Sequence, residues 1–403
     1  MSRCLLRGVV ICAVVVVTAV APLFAQAVPR VEYANPIAGF TITVPEDWEM
    51  GTGALGNTLI AIDGDASGGY PWAQPVLWFF RAKQAPQEAA QGLAAALRQM
   101  DGATPQVQPA EGGGWEVTTT SGGDRGNLAE RWLCRGKPGA YYAIGGMTRP
   151  EFGEGALADM NEALESCRPI RQPALQRFTE PTENAYRLKM PEGWKWEGQV
   201  YRALNVPGYF VWKVKSPDGL TGAFSAPPAN FNIATPYSPA GACAETYVLQ
   251  GLQKQLGNVR LEAVHELPRV GQCFSGLLRA VGIGNNPRVD KVRADYIAGT
   301  GETAVRVRVT VATFMLDGSA LLGGRGNWAM MCSGAWAPVD SFEDGYPLGR
   351  GVIASLVTSP EWRNKQFEAA NDVARWNGWV RRVRQFLFNV LYLDAEDTLH
   401  IPG

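Results

Sequence analysis

The chain has 403 residues, of which 46% are hydrophobic and 19% charged, a composition typical of a folded protein rather than a disordered one. The formal net charge of −1 provides no general attraction for nucleic acid or for an anionic membrane. Only two histidines are present, His265 and His400, so the sequence offers few residues for a histidine metal site or a Ser-His-Asp triad.

The first 27 residues have the organisation of a signal peptide. Arg3 and Arg7 precede an apolar run from Val9 to Val20, and Ala25-Gln26-Ala27 forms a small-x-small cleavage signal. We expect cleavage after Ala27 and a periplasmic or secreted mature protein. An uncleaved membrane anchor is the alternative, but the apolar run is shorter than the roughly 20 residues that span a bilayer.

A nine-residue pattern near the start of the mature chain occurs again in its middle. Phe40–Trp48 (FTITVPEDW) matches Tyr186–Trp194 (YRLKMPEGW) in its aromatic, aliphatic, Pro, Glu and Trp positions. Each copy predicts an alternating strand that stops at its proline, because proline cannot donate to a sheet. The repeat indicates a duplicated architecture.

After the first copy, the sequence predicts strands, a helix, further strands and a closing helix. The predicted strands are Thr58–Ile62, Val76–Phe80, Trp115–Thr119, Glu130–Leu133 and Tyr141–Gly145. The first helix begins at Pro86 with Ala89, Leu93, Leu97 and Met100 on one side, and the closing helix carries Leu157, Met160, Leu164 and Cys167.

The same order follows the second copy. The predicted strands are Tyr209–Val214, Leu220–Ser225, Leu277–Val281, Val292–Ala298, Ala304–Phe314 and Trp328–Cys332. A helix opened by Ser238-Pro239 aligns Ala244, Val248, Leu252 and Leu256, and a closing helix carries Leu348, Val352 and Leu356.

This order predicts an α+β fold, in which helices pack on antiparallel sheets, rather than a doubly wound parallel sheet. We predict two tandem α/β/α sandwich domains at 28–171 and 184–360. A linker at 172–183, rich in Pro and Thr, joins them, and a C-terminal helical tail follows at 361–403.

A signal peptide followed by a strand ending in Pro-Glu-x-Trp, with the element order above, resembles the PsbP-like family and its bacterial DcrB-type relatives. Phe40–Trp48 and Tyr186–Trp194 carry this resemblance, once in each half. It implies an exported α/β/α sandwich that acts as an accessory or binding module rather than an enzyme. The long insertions of the second half and the tail after Pro360 depart from the family pattern.

Two glycine-containing motifs match known ligand loops only in part. Gly51–Gly56 has the spacing of a dinucleotide fingerprint, but Asn57–Ile62 predicts a strand where that fingerprint needs a helix. Asp63–Gly68 resembles the start of a calcium loop, but Gln74 occupies the position of the bidentate Glu. We interpret both as turns and predict no cofactor and no metal.

The mature chain keeps an odd number of cysteines, namely Cys134, Cys167, Cys243, Cys273 and Cys332. Export to an oxidising compartment favours disulfides. Cys134 and Cys167 are the two cysteines of the first half, so we predict that they pair. The pairing among Cys243, Cys273 and Cys332 stays open, with one thiol left over.

Two sets of residues are candidate binding surfaces. Trp72, Trp78, Trp196 and Trp212 are candidates for an aromatic groove that stacks sugars or peptides, the alternative being that they fill the core. Trp376, Trp379, Arg381, Arg382 and Arg384 are candidates for a basic amphipathic helix facing a membrane or a partner. The alternative for this helix is docking on the second domain.

These features predict an exported, non-enzymatic binding or accessory protein of the bacterial envelope. Its predicted partner is a protein, a peptide or an envelope component, and not nucleic acid. One alternative is an extracytoplasmic hydrolase of cell-wall or extracellular polymer, with a carboxylate pair that the sequence does not single out. Another is a structural subunit whose C-terminal helix lies at a membrane surface.

Overall fold

The computed structural model describes residues 29–45, 49–52, 58–62, 76–101, 104–121, 128–148, 154–201, 209–231, 235–267, 288–315 and 328–362. It has a mixed α/β fold in which every strand pair of these ranges is antiparallel, as the sequence predicts. No helix within them is long and apolar enough to cross a membrane.

The N-terminal half contains a large sheet and a small one. Its strands are β1 (Arg30–Asn35), β2 (Phe40–Pro45), β3 (Glu49–Thr52), β4 (Thr58–Ile62), β5 (Val76–Ala82), β6 (Gln106–Pro109), β7 (Trp115–Ser121), β8 (Leu128–Arg135), β9 (Tyr141–Thr148) and β10 (Arg168–Pro169). Helix α1 spans Pro86–Asp101 and helix α2 spans Glu154–Ser166. The large sheet has the order β3-β4-β5-β9-β8-β7-β6, and the small sheet has the order β1-β2-β10.

The C-terminal half is organised in the same way. Its strands are β11 (Leu175–Thr179), β12 (Tyr186–Pro191), β13 (Lys195–Tyr201), β14 (Tyr209–Lys215), β15 (Gly222–Ser225), β16 (Ala229–Phe231), β17 (Val259–Glu266), β18 (Arg288–Ala298), β19 (Val305–Met315), β20 (Trp328–Pro338) and β21 (Val357–Thr358). Helix α3 comprises Ala240–Cys243, a π-helical turn at Ala244–Val248 and Leu249–Leu256, and helix α4 spans Phe342–Ala354. The sheets have the orders β13-β14-β15-β20-β19-β18-β17, with β16 beside β20, and β11-β12-β21.

The strand order is therefore the same in the two halves apart from the added β16. The segment 172–183, which the sequence predicts to be a linker, contains β11, the counterpart of β1. Pro173 and Pro181 flank this strand instead of interrupting it, so the prolines that indicate a linker mark its two ends. Trp48 and Trp194 are the two tryptophans of the repeated pattern. Trp194 is buried, whereas Trp48 lies outside the described residues.

A serine at the end of each closing helix makes the same three hydrogen bonds. The Ser166 hydroxyl accepts from the Thr43 amide at 2.8 Å and donates to the carbonyls of Ala163 and Thr43. The Ser355 hydroxyl likewise accepts from the Lys189 amide at 2.8 Å and donates to the carbonyls of Val352 and Lys189. Thr43 and Lys189 are the same position of the repeated pattern, so this clasp occurs once in each half.

Each large sheet has helices on both faces. Helix α1 buries Ala90, Leu93, Ala94 and Leu97, a stripe at helical spacing, on one face of the first sheet. Helix α2 and strands β1 and β2 cover the other face. In the second half α3 covers one face, and α4 with β12 covers the other. Ala244, Val248 and Leu252 share a buried face, as predicted, because the wider π-helical turn accommodates their spacing of four residues. Leu256, which was predicted to lie on the same face, is exposed.

The hairpins that start the two halves are capped by equivalent side chains. The Asn35 carboxamide oxygen accepts from the Ala38 amide at 3.0 Å. At the matching position, the buried Glu180 carboxylate accepts from the amides of Thr182, Glu183 and Ala185. Burial alone would raise the pKa of Glu180, but these amide hydrogen bonds hold it below its ordinary value.

We expect Glu180→Gln to destabilise the protein near neutral pH and to matter less in acid. A carboxyl whose pKa is lowered by folding contributes stability above its unfolded pKa, near 4.5, and loses it as pH falls through the folded pKa. Urea unfolding at pH 6 and pH 3 measures the difference between variant and wild type. Glu192→Gln, at an exposed carboxyl, is the control. A difference for Glu180→Gln that does not shrink in acid would contradict the assignment.

The two halves share part of one core. Ile37, at the tip of the first hairpin, is buried in the cluster that contains Tyr186 and Val352 of the C-terminal half. Arg350 of α4 places its guanidinium 3.7 Å from the ring centre of Tyr33 in β1. Trp362 belongs to the same cluster, and its indole donates to Glu183 at 2.8 Å. The C-terminal core thus includes Trp362, beyond the boundary predicted at residue 360.

Candidate functional site

A groove of about 650 Å³ opens beside α2 on the first large sheet. Helix α2 lies over β9, β8 and β2, and the groove extends from it over the outer strands β7 and β6. Antiparallel register places Gln106, Thr118 and Arg131 in one row across β6, β7 and β8. Side chains in such a row point to the same face, here the face that carries α2.

Arg131 is the charged centre of this groove. Its guanidinium bonds to Glu116 at 2.5 Å and to Glu165 of α2 at 2.7 Å, and Arg135 bonds to the second Glu165 oxygen at 2.5 Å. Burial alone would lower the pKa of Arg131, but the two carboxylates raise it. Burial would raise the pKa of Glu165, but its two arginines lower it. Arg131 and Glu165 therefore stay charged at neutral pH.

Apart from the carboxylate of Glu130, the remaining polar groups of the groove are uncharged hydrogen-bonding groups. Thr118, Thr120, Gln106 and Asn161 provide hydroxyls and carboxamides, while Leu157 of α2 adds an apolar wall. None of the described residues that line the groove is aromatic, histidine or cysteine. The groove can therefore recognise a neutral polar chain through hydrogen bonds.

Glu116 and Glu130, the two carboxylates that line the groove, are not arranged as a glycosidase pair. Glu116 lies opposite Leu133, which packs on the α2 face. Glu130 accepts a hydrogen bond from the Trp132 indole at 2.6 Å, and Trp132 packs on the α1 face. Because the two carboxylates leave opposite faces of the sheet, they cannot act on one bond. Among the described residues no cluster of three metal-ligating side chains occurs.

The matching place in the C-terminal half is filled. Arg131 lies opposite Gly146, which packs under Met160, and Arg308 lies opposite Ala335, which packs under Gly349. Met160 and Gly349 each precede the clasp serine by six residues, so Arg131 and Arg308 occupy equivalent positions.

Aromatic rings and a carboxylate surround Arg308. Its guanidinium makes two bonds to Asp295, at 2.7 and 2.9 Å. The rings of Phe342 and Tyr346 lie 4.9 and 5.0 Å from its central carbon. The second half therefore has side chains of its own where the first half has an open groove.

Two of the four tryptophans predicted to line an aromatic groove pack against other side chains of the C-terminal half. Trp212 is buried in the C-terminal core, and Trp196 stacks on Phe178 at 4.4 Å while its indole donates to the Tyr186 hydroxyl at 3.2 Å. Trp78 lies in β5, and Trp72 lies outside the described residues. Trp212 is thus a core residue rather than part of a surface. The tail residues Trp376, Trp379, Arg381, Arg382 and Arg384 also lie outside the described residues.

The predicted disulfide between Cys134 and Cys167 is wrong, because both thiols are free and buried. Cys134 packs with α1 on one face of the sheet, whereas Cys167 packs with α2 on the other. The sheet therefore separates them. Burial raises the pKa of each thiol to about 12, so neither is reactive at neutral pH. Cys243 and Cys332 are free as well, and Cys273 lies outside the described residues.

Arg131 and the threonines beside it were not predicted as site residues from the sequence. The available signal was the run Thr118-Thr119-Thr120 in a predicted strand, where alternate hydroxyls must face the sheet surface. Recognising the row also requires the register between β7 and β8, which places Arg131 opposite Thr118.

No family model and no curated protein matches the chain. Among solved structures, it is similar to cyanobacterial PsbP (CyanoP) from Synechocystis sp. PCC 6803, with 12% identity over 48% of this chain and 98% of that one, at a TM-score of 0.25. It is also similar to the immunity protein TplEi of the T6SS from Pseudomonas aeruginosa, complexed with "L" peptide, with 10% identity over 82% of this chain and 98% of that one, at a TM-score of 0.23. Such low TM-scores identify neither a family nor a function, so the resemblance to the PsbP-like family stays a prediction.

Proposed function

We propose that this chain is an exported, non-enzymatic binding protein of the bacterial envelope, and that the groove beside α2 is its binding site. The organisation of residues 1–27 as a signal peptide supports export. The observation that carries the binding role is the row of Gln106, Thr118 and Arg131 on the floor of an open groove.

We further propose that the chain is a tandem pair of related domains. The shared strand order and the two serine clasps, at Ser166 and Ser355, support a duplication. The second domain would then begin at β11 and include Trp362. The first copy retains the groove, and the second copy has its counterpart filled by Phe342 and Tyr346.

The ligand class that best fits this groove is an extended peptide segment of a protein partner. Thr118, Thr120 and Asn161 offer hydrogen-bonding groups suited to the amides of a peptide backbone. Leu157 offers an apolar contact for a side chain. A polysaccharide is less suited, because sugars bind through aromatic platforms and no described lining residue is aromatic.

The test is selection of a random dodecapeptide phage library on the immobilised mature chain, with soluble peptidoglycan fragments as a parallel probe. We expect peptides to be enriched. Thr120→Arg, at an exposed threonine of the groove, should weaken their binding about tenfold or more by filling it. Fluorescence anisotropy with labelled peptides measures this change.

Thr303→Arg is the matched control, because Thr303 is an exposed threonine in a turn of the C-terminal half. It should leave the peptide affinities unchanged. Absence of enriched peptides, or equal binding by Thr120→Arg and wild type, would overturn the peptide-binding proposal. Binding or cleavage of the peptidoglycan fragments would instead support the hydrolase or a glycan-binding role.

A further inference from the structure

Arg131 lines the groove, and its side chain is not fully buried there. Its side chain is 18% exposed on the floor of the groove, and Glu116 and Glu165 bond to the edge of its guanidinium. A planar guanidinium that is bonded at its edge still has its two faces for stacking on an aromatic ring. Within the described part of the chain, no ring covers Arg131.

The C-terminal half shows what occupies this position when it is filled. Phe342 and Tyr346 place their rings over Arg308, and the two rings stack on each other at 5.0 Å. Tyr346 precedes its clasp serine by nine residues, and the residue nine before the other serine is Leu157. Leu157 lines the groove, so the first half has an aliphatic side chain in place of the tyrosine ring.

The two halves also differ in sequence at the position of Phe342. Phe342 lies thirteen residues before its clasp serine, and the residue thirteen before Ser166 is Gly153. Gly153 lies outside the described residues. At the two matching sequence positions the first half therefore has Leu157 and Gly153 where the second has Tyr346 and Phe342.

We infer that the groove recognises a peptide through one aromatic side chain, whose ring stacks on Arg131 as Phe342 and Tyr346 stack on Arg308. This inference rests on the proposed function and adds the chemistry of the partner. The edge of Arg131 already binds two carboxylates, and the cluster of Arg131, Arg135, Glu116 and Glu165 has no net charge. The groove therefore favours a neutral aromatic residue over an acidic one.

The experiment measures how the selected peptides bind to four forms of the mature chain. We expect the enriched peptides to share a Phe, Tyr or Trp, and its replacement by Leu to weaken binding to wild type about tenfold. Leu157→Tyr should weaken binding similarly, because its ring fills the space over Arg131. Arg131→Lys should also weaken it, because lysine keeps the charge but loses the planar face. Tyr346→Leu, the matched change in the other half, should leave the affinity unchanged.

The outcomes separate this inference from the proposed function. Peptides that lose affinity for Thr120→Arg but contain no shared aromatic residue, and that bind Leu157→Tyr normally, would overturn the inference and leave the binding groove in place. A library with no enriched peptide would overturn both. Circular dichroism checks the folding of each variant. If a variant does not fold, the aromatic-to-Leu series in the peptide decides the question with the wild-type chain.

Discussion

Replacing Asp295 by alanine is expected to lower the free energy of unfolding by about 3 kcal/mol. Asp295 is only 5% exposed, and its two carboxylate oxygens accept hydrogen bonds from the Arg308 guanidinium. Its removal leaves a cation confined beneath Phe342 and Tyr346 without its carboxylate. The cost arises from this unpaired charge more than from the lost attraction itself. Urea denaturation followed by circular dichroism measures it.

A surface ion pair in the same half provides the control for Asp295. Glu197 bonds to Lys215 at 2.9 Å, but its side chain is 55% exposed. Water and salt screen such a pair, so Glu197→Ala should cost less than about 1 kcal/mol. Equal costs for the two variants would show that Asp295 and Arg308 are solvated in solution. That result would contradict the close packing of α4 on Arg308.

Replacing Ile37 by alanine is expected to cost about 2 to 4 kcal/mol, although Ile37 lies in a hairpin turn. Turn residues are usually exposed, but Ile37 is 1% exposed and packs in the core of the other half. The truncation removes apolar contacts and leaves a cavity between the hairpin and α4. Thermal unfolding of the mature chain measures the loss as a lower melting temperature.

Val31→Ala in the same hairpin is the control, because Val31 is 40% exposed and its truncation leaves no cavity. Its effect should stay within about 0.5 kcal/mol. If Ile37→Ala has no larger effect than Val31→Ala, the hairpin tip does not enter the core of the C-terminal half.

Much of the fold could be predicted because alternation and helical spacing are local signals. The predicted strand Thr58–Ile62 agrees with β4, and Pro86 begins α1. Strand β17 was not predicted, because a bulge between Leu261 and Ala263 breaks the alternation of its side chains. Strand β1 was not predicted either, because Val31 is exposed and Arg30 and Glu32 give it a polar character.

The candidate site could not be predicted in the same way, because it depends on pairing between strands. The sequence contains Thr118 and Arg131, but only the register of β7 and β8 makes them neighbours. Tryptophans are conspicuous in a sequence, yet Trp212 is used to fill a core. The disulfide prediction failed for a related reason, because counting cysteines does not show on which face of a sheet each one lies.

The entry of Ile37 into the C-terminal core has a consequence for proteolysis. Residues 171–174 connect the two halves without helix or strand, and Arg171 is exposed to a trypsin-like protease. A single cut there breaks the chain but leaves the shared core and the stacking of Arg350 on Tyr33 intact. The two fragments should therefore co-migrate until a denaturant separates them, which makes this chain a natural starting point for a split-protein complementation pair.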